Sequence, residues 1–209
     1  MLTQASILEL TRAFSDRATS KFGASHDASH IERVVNMAGY LARSEGADPY
    51  LVELIATLHD SFDRKLGRSY ETSCDIKEEL VLAGIPSELA GSLAETILEI
   101  SYGGSVRLDR PLELEGRCVR DADRLDAMGS IGVVRAIMYG TESGQPFWDP
   151  EIRPRVFKSS LEYRSATTTT VNHFFEKILC LQSGLETTTA RMIGRSRHAA
   201  TVAFLTELL

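Results

Sequence analysis

The chain has 209 residues, of which 43% are apolar and 25% are charged, and its formal net charge is −6. The length is enough for one domain with a sizeable core, and the composition is typical of an ordinary globular protein. The acidic balance argues against a protein that binds the phosphate backbone of a nucleic acid polymer. It does not exclude a small anionic substrate, because a metal ion and a few cations can create a local positive site.

Cysteine usage and hydropathy indicate the cellular setting. The three cysteines are an odd number at long spacings without a C-x-x-C pair, so the sequence supports neither a zinc knuckle nor a disulfide framework. Free thiols in a reducing compartment are predicted instead. There is no run of about 18 apolar residues to span a membrane, and the N-terminal segment lacks the pattern of a signal peptide. We therefore expect a cytoplasmic protein.

The first two predicted helices follow from the spacing of apolar residues. A first helix is expected to run to about residue 21, with Thr3 or Ser6 as its N-cap. A second helix is predicted over residues 28–46. His30 lies on the apolar face of that helix, in line with Val34. His30 is therefore predicted to point toward the core.

The third predicted helix ends in an unusual polar pair. Asp48-Pro49 is typical of a helix start, and the apolar row that follows ends near His59-Asp60. His59 stands four residues after Ile55, so helical geometry turns it inward. A buried polar group without a partner costs about 1–3 kcal/mol when neutral, and more when charged. A metal cation would compensate both members of the pair at once.

The remaining pattern is also helical. Residues 61–70 are polar and basic and are predicted to form a loop at the mouth of the His-Asp site. Further helices are predicted over residues 73–83, 87–101, 114–139, 156–163, 171–181 and 188–208. The sequence therefore predicts an all-α helical bundle of roughly eight helices, with residues 1–209 forming a single domain.

Two aspartates interrupt the apolar stripe of the predicted helix over residues 114–139. Asp123 and Asp126 lie on its inward face, whereas Asp121 points away. Together with the two inward histidines, these carboxylates suit a divalent first-row metal ion, and helical bundles build such sites from several helices. Four protein ligands around a six-coordinate ion leave two positions for water and substrate, as hydrolysis requires.

Three segments resemble the H…HD…D signature of the HD-domain metal-dependent phosphohydrolases. They are residues 29–34 (SHIERV), 58–60 (LHD) and 120–126 (RDADRLD). Further segments are similar to one bacterial subgroup, the YpgQ/YedJ-like proteins: His26-Asp27-x-x-His30, Ile131-Gly132 and residues 173–177 (HFFEK). Members of that subgroup are linked to hydrolysis of nucleoside triphosphates. The resemblance implies an all-α bundle of the HD-domain type.

The resemblance also implies a ligand set. Asp123 is preferred to Asp121 because of its context in the motif, and the helical wheel agrees. Family members with two metals carry further histidines after the His-Asp pair, and residues 61–122 contain none. One divalent ion is therefore predicted (Mn, Mg, Fe, Ni or Zn), and an oxygenase with a second iron is not favoured. Its ligands are expected to be His30, His59, Asp60 and Asp123.

Catalytic and substrate-binding candidates follow from the same resemblance. Asp60 is expected to orient the attacking water as well, with His26 and Asp63 as further catalytic candidates. Asp126 is expected to lie behind the ligands or to face the substrate. Other basic groups are expected to neutralise a phosphoryl group in the transition state. These groups are Arg64, Lys65, Arg68, Arg124, His173 and Lys177.

The predicted function is a metal-dependent phosphohydrolase. A water molecule activated by the ion attacks a phosphoryl group of a small phosphorylated metabolite, most simply a nucleotide, and the subgroup favours nucleoside triphosphate pyrophosphohydrolysis. One alternative is a non-catalytic sensor of the same fold that binds metal and nucleotide, and another is a helical scaffold with coincidental polar residues. The sequence leaves open the native metal, the bond that is cut and the oligomeric state, including a homodimer.

Overall fold

Every regular element in the described part of the chain is helical, which confirms the all-α prediction. The computed structural model describes residues 2–20, 28–62, 70, 72–100, 111–157, 162 and 167–209. None of its helices combines the length and the apolar character that crossing a membrane would demand. The helices are α1 Gln4–Thr19, α2 Ala28–Glu45, α3 Pro49–Leu58, α4 Ser73–Leu82, α5 Ser87–Ile100, α6 Leu114–Asp126, α7 Gly129–Glu142, α8 Thr170–Glu176, a 3₁₀-helix Ile178–Gly184 and α9 Thr188–Leu208.

The helix starts have the capping groups that the sequence predicts. The Thr3 hydroxyl accepts a hydrogen bond from the Ser6 amide at 3.2 Å and begins α1. Asp48 accepts a hydrogen bond from the Tyr50 amide at 2.8 Å, and Pro49 occupies the first helical position of α3. Side-chain acceptors at these positions satisfy amides that lack a partner inside the helix.

The described residues up to position 120 form one packed unit, and those from 121 onward form a second. In the first unit α3 is central, because it packs against α1, α2 and α5, while α4 pairs with α5. All five residues from Leu54 to Leu58 are buried. The His-Asp pair therefore follows directly on the most enclosed helical turn of this unit.

The second unit has its own core. Helix α7 packs against α8 and α9, and the 3₁₀-helix contacts both α8 and α9. The core comprises Val133, Ala136, Phe174, Ile178 and Leu205. The organisation of residues 1–209 as a single domain stays a prediction.

The single helix predicted over residues 114–139 is wrong, because the chain breaks between α6 and α7. Met128 is extended, with φ −117° and ψ 159°, and Gly129 has φ 69°, a conformation that favours glycine. Gly132 then lies so close to the preceding turn that an added Cβ would overlap the carbonyl group of Ala127. The apolar stripe continues across this break, so periodicity alone predicted one helix.

Two shorter helices also differ from expectation. The helix predicted over residues 171–181 is wrong in its second half, because α8 ends at Glu176 and a 3₁₀-helix follows. Lys177 lies between them with φ −135° and ψ −60°, outside the α-helical region. The helix predicted over residues 156–163 falls mostly outside the described residues, and its first two residues are not helical.

Candidate metal centre

The C-terminal end of α3 positions the predicted His-Asp pair. The last carbonyls of an α-helix have no partner inside the helix. Here the His59 Nδ1 lies 2.7 Å from the carbonyl oxygen of Ala56, and the amide of Ser61 donates to the carbonyl oxygen of Leu58 at 2.9 Å. The helix end therefore folds the two following residues back against its own last turn.

The contact with Ala56 determines the tautomer of His59. A carbonyl oxygen only accepts hydrogen bonds, so Nδ1 carries the proton. In a neutral imidazole the other nitrogen, Nε2, then has the lone pair. Metal-binding histidines are commonly oriented in this way by a backbone carbonyl. His59 is thus held with its ligating atom directed away from the backbone of α3.

Three potential ligand side chains meet at this end of the helix. The Nε2 atoms of His30 and His59 are 3.3 Å apart. An oxygen of Asp60 lies 3.3 Å from His30 Nε2, and its other oxygen lies 3.5 Å from His59 Nε2. The side chains of the two histidines are 1% and 2% exposed, whereas that of Asp60 is 17% exposed. Two buried nitrogens and one more accessible carboxylate thus share a small space.

These separations fit a shared divalent ion. With metal–ligand bonds of about 2.1 Å, neighbouring ligand atoms lie about 3.0 Å apart around an octahedral ion and about 3.4 Å apart around a tetrahedral one. The observed values of 3.3 to 3.5 Å are of that size. Imidazole and carboxylate are also the donors that such ions bind. His30, His59 and Asp60 could therefore hold one metal ion, as the sequence predicts.

The aspartates of α6 belong to the second unit. Asp123, the predicted fourth ligand, is partly buried, and its role as a ligand stays a prediction. Asp126 is 5% exposed and accepts a hydrogen bond from the Arg135 guanidinium at 2.9 Å. Burial lowers the pKa of Arg197, and the charge of Asp126 opposes that change. The Asp126 carboxylate thus lies among arginines of its own unit.

Asp121 has a role that the sequence analysis missed. It was expected to point away from the core, yet it is fully buried. Its carboxylate accepts hydrogen bonds from the amide and hydroxyl of Thr187, at 2.7 and 2.8 Å, and from the amide of Glu186 at 3.0 Å. Burial raises the pKa of Asp121, while the hydrogen bonds from Thr187 and Glu186 lower it. The carboxylate thus fixes the start of α9.

Comparison with known proteins identifies the family. The HD domain family model matches residues 27–128, a stretch that contains the three clustered residues and the aspartates of α6. The protein YpgQ of Bacillus subtilis, described as uncharacterized, is 34% identical over 185 residues, which cover 88% of this chain and 82% of YpgQ. The chain belongs to the HD-domain family.

Several solved structures resemble this one over nearly its whole length. A Lactobacillus plantarum protein has a TM-score of 0.87 at 30% identity, with 100% of this chain and 97% of that chain covered. A Bacillus thuringiensis HD-superfamily hydrolase has a TM-score of 0.71 at 30% identity, covering 99% and 96%. YpgQ in complex with ADP has a TM-score of 0.73 at 28% identity, covering 99% and 95%. The HD-domain fold is thereby confirmed, and it is a hydrolase fold.

Besides Asp126, three basic residues predicted to bind the substrate lie in the second unit. Arg124 is buried, and its guanidinium donates a hydrogen bond to the carbonyl oxygen of Gly184. His173 is half-buried on α8, with its ring centroid 5.9 Å from that of Tyr139. Lys177 is half-buried at the end of the same helix. Arg124 thus supports the fold of its unit, and contact of these residues with a substrate stays a prediction.

The remaining predicted site residues fall outside the described part of the chain. They are His26, Asp63, Arg64, Lys65 and Arg68. Their suggested catalytic and phosphate-binding roles stay predictions.

Proposed function

We propose that this HD-domain protein is a metal-dependent phosphohydrolase that acts on a small phosphorylated metabolite, and we favour a nucleoside triphosphate that is cleaved to release pyrophosphate. The observation that carries this proposal is the clustering of three candidate ligand side chains. The Nε2 atoms of His30 and His59 are 3.3 Å apart, and the two oxygens of Asp60 lie 3.3 Å from the first and 3.5 Å from the second. The hydrolase fold of the family supports the reaction class. The complex of YpgQ with ADP supports a nucleotide as the substrate class.

The proposed ligand set is His30, His59, Asp60 and Asp123 around one divalent ion, with Mn, Mg, Fe, Ni and Zn as candidates. Such an ion, when bound, lowers the pKa of water and polarises the bond under attack. The chain holds His59 in the tautomer with its lone pair on Nε2, through the contact with Ala56. A ligand oriented in advance loses little freedom on binding.

Asp60 differs from the two histidines in its exposure. Its side chain is 17% exposed while theirs are almost fully buried. Asp60 is therefore the member of the cluster that solvent reaches most readily. We assign to it the orientation of the attacking water in addition to its role as a ligand. Its carboxylate can accept a hydrogen bond from that water, which directs the water oxygen toward phosphorus.

Basic side chains complete the proposed site. The chain has a net charge of −6, so binding of a polyphosphate depends on cations near the ion. The proposed phosphate contacts are His173 on α8, Lys177 just after that helix, Lys65 and Arg124. Their role is to balance charge in the transition state. A cytoplasmic location belongs to the same proposal, because Cys74 and Cys180 are exposed free thiols.

The test begins with protein stripped by a chelator and reloaded with each candidate ion. Nucleoside mono-, di- and triphosphates are then supplied, and phosphate and pyrophosphate are measured separately. We expect turnover that depends on the ion, with pyrophosphate as a product, and loss of both metal binding and turnover in His59→Ala and Asp60→Ala. Full turnover by metal-free protein would contradict the proposal.

The same experiment separates the alternatives. A sensor would bind the ion and a nucleotide without releasing either product under any condition. A scaffold would show no affinity for any of the divalent ions. The three clustered residues favour a metal-binding protein over a scaffold.

A further inference from the structure

A serine on α1 contacts the helix end that carries the metal-binding pair. Ser15 is 2% exposed, and its hydroxyl donates a hydrogen bond to the carbonyl oxygen of Thr57 at 2.7 Å. Thr57 lies in the last turn of α3, two residues before His59. Its carbonyl is one of those that the helix itself leaves without a partner. Ser15 therefore supplies from another helix a donor that α3 lacks.

The neighbouring carbonyls of this turn are satisfied locally. The Ala56 carbonyl faces His59 Nδ1, and the Leu58 carbonyl accepts from the amide of Ser61. Those donors belong to the same short segment as the pair. Of the three donors, Ser15 alone comes from a different helix. It therefore ties the segment to the rest of the first unit.

The hydroxyl of Ser15 also departs from the usual behaviour of its residue type. Serine and threonine inside a helix commonly donate to the carbonyl four residues earlier. Thr11, one turn before Ser15 on α1, does so with Ile7 at 2.8 Å, and it is also fully buried. Ser15 reaches across to α3 instead. A serine contributes little to helix stability by itself, so this contact between helices accounts for a hydroxyl at that position.

The geometry points to Ser15 as a positioning residue for the metal-binding pair, an inference that rests on the proposed function. The Ser15 hydrogen bond fixes the last turn of α3 against α1. That turn holds His59 through Ala56 and determines where the two ligands of the pair lie relative to His30 on α2. Groups that orient metal ligands typically change metal affinity or activity by about 10–100-fold when removed. Because Ser15 acts through the backbone, we expect the lower end of that range.

The experiment compares Ser15→Ala with Thr11→Ala. Both changes remove a buried hydroxyl from the same face of α1, but only Ser15→Ala releases the end of α3. The dissociation constant for Mn²⁺ is measured by calorimetry on chelator-stripped protein, together with the melting temperature. We expect Ser15→Ala to weaken Mn²⁺ binding by about tenfold. The dissociation constant of Thr11→Ala for Mn²⁺ should stay within about twofold of the wild-type value, even if its melting temperature falls as far as that of Ser15→Ala.

Two further variants separate the hydrogen bond from packing. Ser15→Cys fills nearly the same volume with a weak donor, and it should weaken Mn²⁺ binding as Ser15→Ala does. Ser15→Thr restores a hydroxyl donor and should recover most of the affinity. If Ser15→Ala does not fold, Ser15→Cys takes its place as the test. Wild-type affinity in Ser15→Cys would then overturn the inference.

The outcomes distinguish the two proposals. If the wild type binds Mn²⁺, His59→Ala does not, and Ser15→Ala binds like the wild type, only the role of Ser15 is overturned. An equal loss of affinity in Thr11→Ala and Ser15→Ala would also overturn it, because the effect would then follow general destabilisation. If the wild type binds no divalent ion, the proposed function and the role of Ser15 fail together.

Discussion

The carboxylates of Asp60 and Asp121 have opposite surroundings. Asp121, in the second unit, accepts hydrogen bonds from two backbone amides and a hydroxyl at the start of α9. Asp60, in the first unit, lies 3.3 and 3.5 Å from two imidazole nitrogens. One of these, Nε2 of His59, has a lone pair directed away from the backbone of α3. The Asp121 carboxylate thus lies among hydrogen-bond donors, whereas the Asp60 carboxylate lies beside two imidazoles, which are groups that can bind a cation.

This difference distinguishes a carboxylate that stabilises the fold from one that is suited to be a metal ligand. Burying a charge is costly unless hydrogen bonds or an opposite charge compensate it. The amides of Glu186 and Thr187 compensate Asp121, so its effect should appear in stability. A carboxylate beside two imidazoles, as at Asp60, can share a cation with them. Its effect should therefore appear in metal binding and turnover.

The largest expected effect comes from Asp60→Asn. The variant keeps the size of the side chain but removes the charge that the proposed ion requires. We expect turnover to fall by about 10³-fold or more, because loss of metal catalysis removes several kcal/mol of stabilisation and each 1.4 kcal/mol is tenfold. The unfolding free energy of the metal-free protein should change by less than about 1 kcal/mol. Kinetics with Mn²⁺ measure turnover, and urea denaturation measures the unfolding free energy. If Asp60→Asn kept its turnover, Asp60 would not differ from Asp121 in its importance for catalysis.

Asp121→Ala should have the largest effect on stability. It leaves the buried amides of Glu186 and Thr187 without their acceptor, and each unsatisfied buried group costs about 1–3 kcal/mol. We expect the unfolding free energy from urea denaturation to fall by about 2–4 kcal/mol in total. Asp121→Asn should cost less, since its amide oxygen can still accept from Thr187. If Asp121→Ala were as stable as the wild type, Asp121 could not be regarded as structural.

Local sequence signals predicted most of the helices and the clustered part of the site. The Asp48-Pro49 start was read from adjacent residues, because a cap forms within one turn. His30 and His59 interrupt apolar stripes, and stripes are visible at spacings of three and four. The structure brings these two histidines and the neighbouring Asp60 together, as expected. Features of this kind depend on short stretches of chain, which a sequence shows directly.

The missed features depend on contacts between distant positions. Ser15 and Thr57 are 42 residues apart, and Asp121 and Thr187 are 66 residues apart. No spacing rule connects such pairs, so a serine in a helix and an aspartate off the apolar stripe both look solvated. The break at Gly129 was missed for a different reason, because the apolar stripe continues through it. Long-range hydrogen bonds and single backbone dihedral angles are therefore the part that only coordinates supply.

Metal binding should stabilise the first unit by a smaller, adjustable amount. A ligand that binds only the folded state adds RT ln(1 + [L]/Kd), which is about 1.4 kcal/mol when the free ion is tenfold above its Kd. We expect Mn²⁺ to raise the melting temperature of the wild type in this concentration-dependent way. Asp60→Asn should show no such rise. An equal rise in both proteins would indicate that the ion binds elsewhere.

The smallest expected effect concerns a hydroxyl beside the pair. Ser61 is 3% exposed, and within the described part of the chain its Oγ has no hydrogen-bond partner. Removing a buried polar group that lacks a partner is neutral or favourable, so Ser61→Ala should leave the unfolding free energy unchanged or raise it by up to about 1 kcal/mol.

Thr201, in the second unit, is the matched control, because its hydroxyl accepts from the amide of Gly129 at 2.9 Å and donates to the carbonyl of Arg197 at 3.1 Å. Thr201→Val should cost about 1–2 kcal/mol in urea denaturation. If Ser61→Ala cost as much as Thr201→Val, the chain would satisfy its polar groups equally in both regions, and the contrast drawn from Asp60 and Asp121 would not extend to their neighbours.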